Sequence, residues 1–376
     1  MRRGRAAVVA VLASALLAPA AKAAGPTPPL TALGQARAAL RGLPNETGAY
    51  GKLGAATAAS LWVDPSDAVA PPDGRAVFYD TRRALLDLEP QVASSTPSPS
   101  VTRAEALILA ADRRLAENVI HEAAGGTGLL VRAEGMILSG DRWAATALVN
   151  YAAEQYGAAW TDAFRALLPL VATPATNVPP AALATAAENA LAENRISLAS
   201  VHPLRNQPPL THAGEPEVVL VAPDSCAGCA LESWGVVAAL SQFGTFADLN
   251  LSQSATTQRP IVRGFTFRSA AYGSPLVTFV IAAPSTHVPH PLPFVDVASK
   301  YADVGSPASP SVAGNLPWRQ LAGSLGRPKT AAGQALDGTA ELLTAEICEA
   351  TGGAPAAVCG AAAVKDYQDR LPPATP

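Results

Sequence analysis

Aromatic side chains are scarce in this 376-residue chain, at 5%, although 49% of its residues are apolar. Much of that apolar content is alanine, so its cores are expected to be lean and helix-rich rather than packed on rings. A clustered basic face is also lacking. The formal charge is −3, and no nucleic-acid partner is expected, because such partners select basic faces. After the first 23 residues no stretch holds about 18 uninterrupted apolar residues, which argues against a later membrane-spanning helix. Cysteine is absent from residues 24–200. No internal repeat occurs, and the serines, Ser225 and Ser252 among them, form no nucleophile elbow. The length suggests two domains of ordinary size.

The N-terminus carries a recognisable pattern. Met1-Arg2-Arg3-Gly4-Arg5 is a basic start, Ala6 to Ala20 is an apolar run broken by Pro19, and Ala21-Lys22-Ala23 is an A-x-A cleavage site. These are the parts of a secretory signal peptide. They predict an extracytoplasmic protein, secreted or held in the cell envelope, after cleavage near Ala23. The run is too short and alanine-rich for a good anchor. Arg2-Arg3 lacks the rest of a twin-arginine pattern, and no cysteine marks a lipoprotein. Cleavage removes Arg2, Arg3, Arg5 and Lys22 and leaves a charge of −7.

Residues 24–200 read as a mostly α-helical domain. Helices are expected over Thr31 to Arg41, Ala55 to Trp62 and Arg82 to Leu88, with a loop from Pro65 to Gly74 and a linker from Ser94 to Ser100. Thr102-x-x-Glu105 has the form of a capping box, opening a helix that Gly125-Gly126 stops. Further helical pattern covers Arg142 to Tyr156, Ala158 to Leu168, and Pro180 to about Asn194. Residues 201–370 differ. After a linker from Pro203 to Gly214, Glu217 to Ala222 is a nearly continuous apolar strand of the buried type. A helix from Cys229 to Phe243 follows. Gly264 to Arg268 and Leu276 to Ile281 read as strands joined by a turn at Tyr272-Gly273-Ser274. Another strand covers Phe294 to Val297. Helices cover Leu316 to Leu325, Thr330 to Ile347 and Ala356 to Asp369. The order β-α-β-β-β-α-α is that of an α/β unit.

The four cysteines are Cys226, Cys229, Cys348 and Cys359. An even count in an exported chain reads as two disulfides, and the spacing favours the two local pairs. Cys226-Ala227-Gly228-Cys229 lies between a buried strand and a helix. A thiol in the first helical turn feels the positive end of the macrodipole and the free N–H groups. Both favour the thiolate, which is the nucleophile. Two intervening residues let Cys229 resolve a mixed disulfide on Cys226. The plainer alternatives are an inert disulfide joining helix to strand, and half of a zinc site. The ten-residue gap between the other cysteines speaks against zinc, and no cofactor is expected. Cys348 and Cys359 flank a Thr351-Gly352-Gly353 turn and read as a structural disulfide, with an electron relay to the first pair as the sharper alternative. Glu232 and Asp224 flank the dithiol; each reads first as an exposed helix or loop carboxylate, and the sharper alternative is a group that tunes the dithiol or shuttles a proton. His287-x-x-His290 is too small a set for a metal site, and His121 reads as a helix-surface or core residue.

Several blocks carry a resemblance. Glu217-Val218-Val219-Leu220-Val221, Cys226-x-x-Cys229, Leu231-Glu232-Ser233-Trp234 and Ala239 to Phe246 resemble a thioredoxin-like prokaryotic domain-of-unknown-function family, number 929 in its series. Pro293-Phe294-Val295-Asp296-Val297 with Lys300-Tyr301, and Ile347-Cys348-x-x-Thr351-Gly352-Gly353-x-Pro355-x-x-Val358-Cys359, are similar to its later blocks. The resemblance spans about residues 205–365. It implies a thioredoxin-like fold and an extracytoplasmic or membrane-tethered location. It also implies a cis-proline opposite the dithiol at the start of a strand, a pattern that Leu292-Pro293-Phe294 matches; the plainer alternative is an ordinary loop proline in a region that also holds Pro284, Pro289 and Pro291. Other members carry proline and an aromatic between the cysteines, where this chain has Ala227 and Gly228. Those positions help set the reduction potential.

The expected architecture is therefore a thioredoxin-like α/β domain after a helical one. The expected function is thiol-disulfide exchange with thiols or disulfides of envelope or secreted proteins. Cys226 would attack, Cys229 resolve, Glu232 tune and Pro293 shape the groove. One alternative is a binding or scaffold module with both disulfides permanently closed. Another places the function in the helical domain, as a surface for an envelope-protein partner.

Overall fold

The computed structural model describes residues 27–43, 47–64, 68–69, 74–92, 98–125, 128–255, 259–284 and 290–373. The expected signal peptide and its expected cleavage point near Ala23, most of the Pro65 to Gly74 loop, the linker around Ser94, Gly126 and His287 lie outside the described residues.

The first half is helical: α1 (Pro29–Ala39), α2 (Thr47–Ala56), α3 (Gly74–Val92), α4 (Pro99–Glu122), α5 (Gly128–Ala145), α6 (Val149–Thr176) and α7 (Pro180–Ala192). A small antiparallel ribbon, β1 (Trp62–Asp64) with β2 (Ala68–Val69), interrupts it. Alanine lines its interior, as at Ala104, Ala111, Ala152, Ala159 and Ala163. Small side chains let the helices approach closely, and a few rings, Trp62, Tyr156 and Trp160, fill the remaining space.

Three expectations shift here. The helix expected from Arg142 to Tyr156 is instead a corner between α5 and α6, with Ala147 at φ 60°. Trp143 and Tyr151 stack across that corner at 5.6 Å and stay partly exposed. Their spacing therefore marks a surface ring pair, not a core stripe. Thr102 is no cap: α4 begins at Pro99, and the Thr102 hydroxyl donates back to the Ser98 carbonyl at 3.4 Å. Proline at the first helical position starts the helix by its fixed φ. Finally, α2 ends at Ala56, and Trp62 belongs to β1, its indole N–H donating to the Ala56 carbonyl at 2.7 Å.

The second half holds β3 (Val201–Pro203), β4 (Thr211–His212), β5 (Glu215–Val221), α8 (Ala227–Leu240), β6 (Thr245–Ala247), β7 (Asn250–Gln253), β8 (Arg263–Thr266), β9 (Ala271–Gly273), β10 (Thr278–Ile281), β11 (Phe294–Val297) and β12 (Tyr301–Val304). The helices α9 (Trp318–Ala322), α10 (Ala331–Ala350), α11 (Ala356–Cys359) and α12 (Ala362–Arg370) follow. The main sheet runs β10-β5-β11-β12-β3, with β4 pairing the start of β5. β10 is parallel to β5, while β11 is antiparallel to both β5 and β12. The apolar β5 thus lies between two neighbours, where its valines find partners on both sides.

The strand at Gly264 does not pair with the one at Thr278. β8 pairs with β7, β9 with β6, and β10 with β5. The reason is the grip of α8 on β8. The Trp234 indole N–H donates to the Arg263 carbonyl at 2.8 Å, and the Phe265 N–H donates to the Ser233 hydroxyl at 2.8 Å. A side chain at Gly264 would overlap the Ala230 carbonyl.

Every residue of α10 from Ala332 to Cys348 is buried. It packs on α8, α7 and α12. α7, expected in the helical domain, therefore also closes the α/β unit. The Tyr367 hydroxyl donates to the Ala187 carbonyl at 2.8 Å, and the Asn189 amide donates to Pro328 at 3.0 Å. A second seam joins the Trp318 N–H to Glu122 Oε1 at 2.7 Å.

Candidate dithiol site

Cys226 and Cys229 form a disulfide where β5 hands over to α8, with Cα atoms 5.1 Å apart. The Val221-to-Cys226 turn is fixed by its own backbone. The Cys226 N–H donates to the Pro223 carbonyl at 3.1 Å, and the Ser225 carbonyl accepts from Ala255 at 2.9 Å. Cys226 is the N-cap of α8, and its Sγ accepts the Cys229 N–H at 3.0 Å. A sulfur therefore does what a hydroxyl or carboxylate does at other helix starts. The same donor and the helix dipole favour negative charge on that sulfur. Cys226 is half-buried, and Cys229 is only 3% exposed. Cys226 is the more accessible residue of the pair.

Pro293 forms the opposite wall. The Leu292–Pro293 peptide bond is cis, and Pro293 immediately precedes β11. Cys226 Sγ lies 3.6 Å from the Leu292 carbonyl oxygen. A methyl group added at Gly228 would sit 3.3 Å from Pro293 Cδ. The small residue between the cysteines is thus in near contact with the proline.

Glu232 lies one helical turn after Cys229, on the same face of α8. Its side chain is buried, not the exposed helix carboxylate expected, because α8 is enclosed on this face, and its Oε2 accepts a hydrogen bond from Ser306 Oγ at 3.0 Å. Burial, reinforced by the Asp303 carboxylate, pushes its pKa up to about 8. Asp303 on β12 and Glu346 on α10 are also buried. Burial raises the pKa of both, and for Glu346 the Asp303 and Glu232 carboxylates add to the rise. Three acids from three elements therefore share an interior with no ion-pair partner among the described residues. At neutral pH such a group holds protons. Among the described residues no group of His, Cys, Asp and Glu has metal-holding geometry.

Asp224 turns away from this cluster. Its carboxylate meets the Arg268 Nε at 2.8 Å and accepts from Thr266 Oγ1 at 3.3 Å. Ser225 is exposed, Ser252 is buried, and His121 and His290 are surface residues. Cys348 and Cys359 are bonded to each other and 1% exposed. Their loop is closed further by the Gly353 N–H, donating to the Cys348 carbonyl at 2.8 Å. That burial fits a structural bond.

Asp303, Glu346 and Ser306 went unread in the sequence, yet a signal was present. Each acid is the lone charge inside an apolar block, Tyr301-Ala302-Asp303-Val304 and Ala345-Glu346-Ile347.

No curated protein and no solved structure matches the chain. The blocks around Pro293 and around Cys348 and Cys359 lie beyond the family match. That match covers β4, β5, the dithiol turn, α8 and the strands through β10: residues 204–282 fit the family model described as Domain of unknown function (DUF929).

Proposed function

We propose that the chain is an exported thiol-disulfide exchange protein, built on a thioredoxin-like α/β unit, that acts on thiols or disulfides of envelope or secreted proteins. The fold reading is supported by the β10-β5-β11-β12 order, with the dithiol after β5 and Pro293 before β11. The observation that carries the reading is the half-buried Cys226 at the cap of α8, its sulfur receiving the Cys229 N–H. Export is supported by the pattern ending at Ala23.

In the reductive direction the Cys226 thiolate attacks one sulfur of a substrate disulfide. A Cys226–substrate bond forms, the substrate S–S bond breaks, and the leaving sulfur departs as thiolate. Cys229, having given up its proton, attacks Cys226 Sγ. The second substrate thiolate leaves, and the Cys226–Cys229 bond closes. The reverse sequence oxidises a substrate dithiol. The direction follows the relative reduction potentials of the two couples. In this reading Glu232, one turn after Cys229 on the same helix face, exchanges a proton with Cys229 in the fraction of molecules whose Glu232 carboxylate is ionised, a fraction that grows as pH rises toward about 8. Pro293 and the Leu292 carbonyl line the approach to Cys226. The helical half supplies the partner surface, where Val131 and Leu138 of α5 are exposed.

Trapping tests this. Cys229→Ser protein, treated with glutathione disulfide, should accumulate one glutathione on Cys226, read by intact mass and peptide mapping. The reduced parent chain should be alkylated fastest at Cys226, with an apparent thiol pKa below the free value of about 8.5. A Cys226 that takes no glutathione and alkylates no faster than an unperturbed thiol sinks the exchange reading. It leaves the closed scaffold, which the burial of Cys229 would then explain.

A further inference from the structure

A cavity of about 400 Å³ lies between the two halves, bounded by α3 and α6 on one side and by β7 and β8 on the other. Its chemistry is lopsided. Three guanidinium groups reach its lining from three separate elements: Arg75 from α3, Arg165 from α6 and Arg268 from just after β8. Thr161, Thr266, Ser269 and Asn250 add neutral polar groups, and no carboxylate lines it. The apolar wall is Trp160, Phe164, Leu168 and Leu251. Trp160 and Phe164 meet edge to face at 4.6 Å, which holds that wall rigid.

The positive charge is not neutralised in place. Arg268 is paired, with Asp224 at 2.8 Å. Arg165 has only a 3.8 Å approach to Asp162, and that carboxylate is already held by Arg132 at 2.7 Å. Arg75 pairs with no carboxylate among the described residues. A second observation points the same way. The Trp160 side chain is 3% exposed, and its indole N–H has no acceptor among the described residues. A buried donor without an acceptor carries the uncompensated cost of its lost hydration. One guanidinium without a carboxylate partner among the described residues, one held only by a long contact at 3.8 Å, an unpaired indole donor and an aromatic wall together form a half-filled set of interactions. What is missing is an acceptor-rich anion with an apolar body. The volume falls in the range of small-molecule sites and is too small for a folded partner.

We propose that this cavity binds a small organic anion, with a carboxylate, sulfonate or phosphate group held by Arg75 and Arg165 and an apolar body laid on Trp160 and Phe164. The site stands apart from the dithiol chemistry and does not need it. Its nearest link is Asp224, two residues before Cys226, which shares Arg268 with the cavity rim.

The test uses the oxidised full chain, with phenyl phosphate as probe and calorimetry plus tryptophan fluorescence as readouts. Saturable one-to-one binding is expected. Inorganic phosphate should bind at least tenfold more weakly and benzyl alcohol should not saturate, since each lacks half of the ligand. Added salt should weaken the binding, as for an exposed charge contact. The exposed pair of changes Arg75→Ala and Arg165→Ala should reduce affinity at least tenfold with an unchanged far-ultraviolet spectrum. Arg205→Ala, on a distant exposed arginine, should change nothing. Trp160→Phe should abolish the fluorescence response. Phenyl phosphate that does not saturate in the millimolar range overturns the proposal, and so does binding indifferent to Arg75 and Arg165. Cys226→Ser should bind the probe normally, so failure here and failure of the exchange reading are separable.

Discussion

Ser306 Oγ donates to Glu232 Oε2 at 3.0 Å, tying the dithiol helix to the segment that leaves β12. That one hydrogen bond lowers the pKa of Glu232, while burial and the Asp303 carboxylate raise it, and the raising effects win at about 8. An acid whose folded pKa lies above its unfolded value stabilises the fold fully at low pH. The unfolded chain gives up the proton near 4.5, while the folded chain holds it to about 8. Stability therefore falls as pH rises through that window and levels off above it. Glu232→Gln keeps an acceptor for Ser306 and removes this proton. The variant should match the parent near pH 5 and exceed it near pH 8 by a few kcal/mol, on the order set by linkage. Urea midpoints across pH would show it. A parent-to-variant difference that does not change between those pH values contradicts the buried-acid account. Asp303 and Glu346 remain, so some slope persists in both proteins.

Gly228 offers a steric test of the groove. An added Cβ would stand 3.3 Å from Pro293 Cδ and 3.6 Å from the Leu292 carbonyl oxygen. Alanine fits after a small shift, whereas valine places two further carbons in that gap. Gly228→Val should slow glutathione adduct formation on Cys226 by at least tenfold and cost about 1–3 kcal/mol, the usual range for overpacking. Gly228→Ala should be mild in both respects. Stopped-flow rates and thermal melts measure the two effects. Equal rates for glycine, alanine and valine would show that the approach to Cys226 does not run past Pro293.

The dithiol and its placement were legible because they depend on local chemistry. An apolar run, then Cys226-x-x-Cys229, then a helical pattern places a sulfur at a helix start whatever surrounds it. The strand from Phe294 and the long helix beginning near Thr330 were legible for the same reason. Features that depend on distant partners were not. Tyr301 to Val304 became a strand because β11 and β3 flank it, and its burial of Asp303 beside Glu346 joins residues 43 positions apart. The arginine-lined cavity needs α3, α6 and β8 together, and no window of sequence contains all three. The corner at Ala147 was misread because Trp143, Leu148 and Tyr151 keep helical spacing while lying on the surface.

The C-terminal disulfide gives the last prediction. Cys348 ends the buried stretch of α10 and Cys359 ends α11, a sequence separation of 11. Between them Thr351 Oγ1 donates to the Ala354 carbonyl at 2.7 Å, and Gly352 and Gly353 take positive φ, so the turn is built without the sulfur bond. The bond's contribution is then chiefly to the unfolded chain, which it shortens by a small loop. In the chain-entropy treatment that loop is worth about 3 kcal/mol. The paired change Cys348→Ser and Cys359→Ser should lower stability by about that amount while leaving glutathione capture by Cys226 at its parent rate. A loss of capture in a variant that is still folded would instead make the pair part of the electron path. Chemical denaturation and the mass assay on one preparation separate these outcomes.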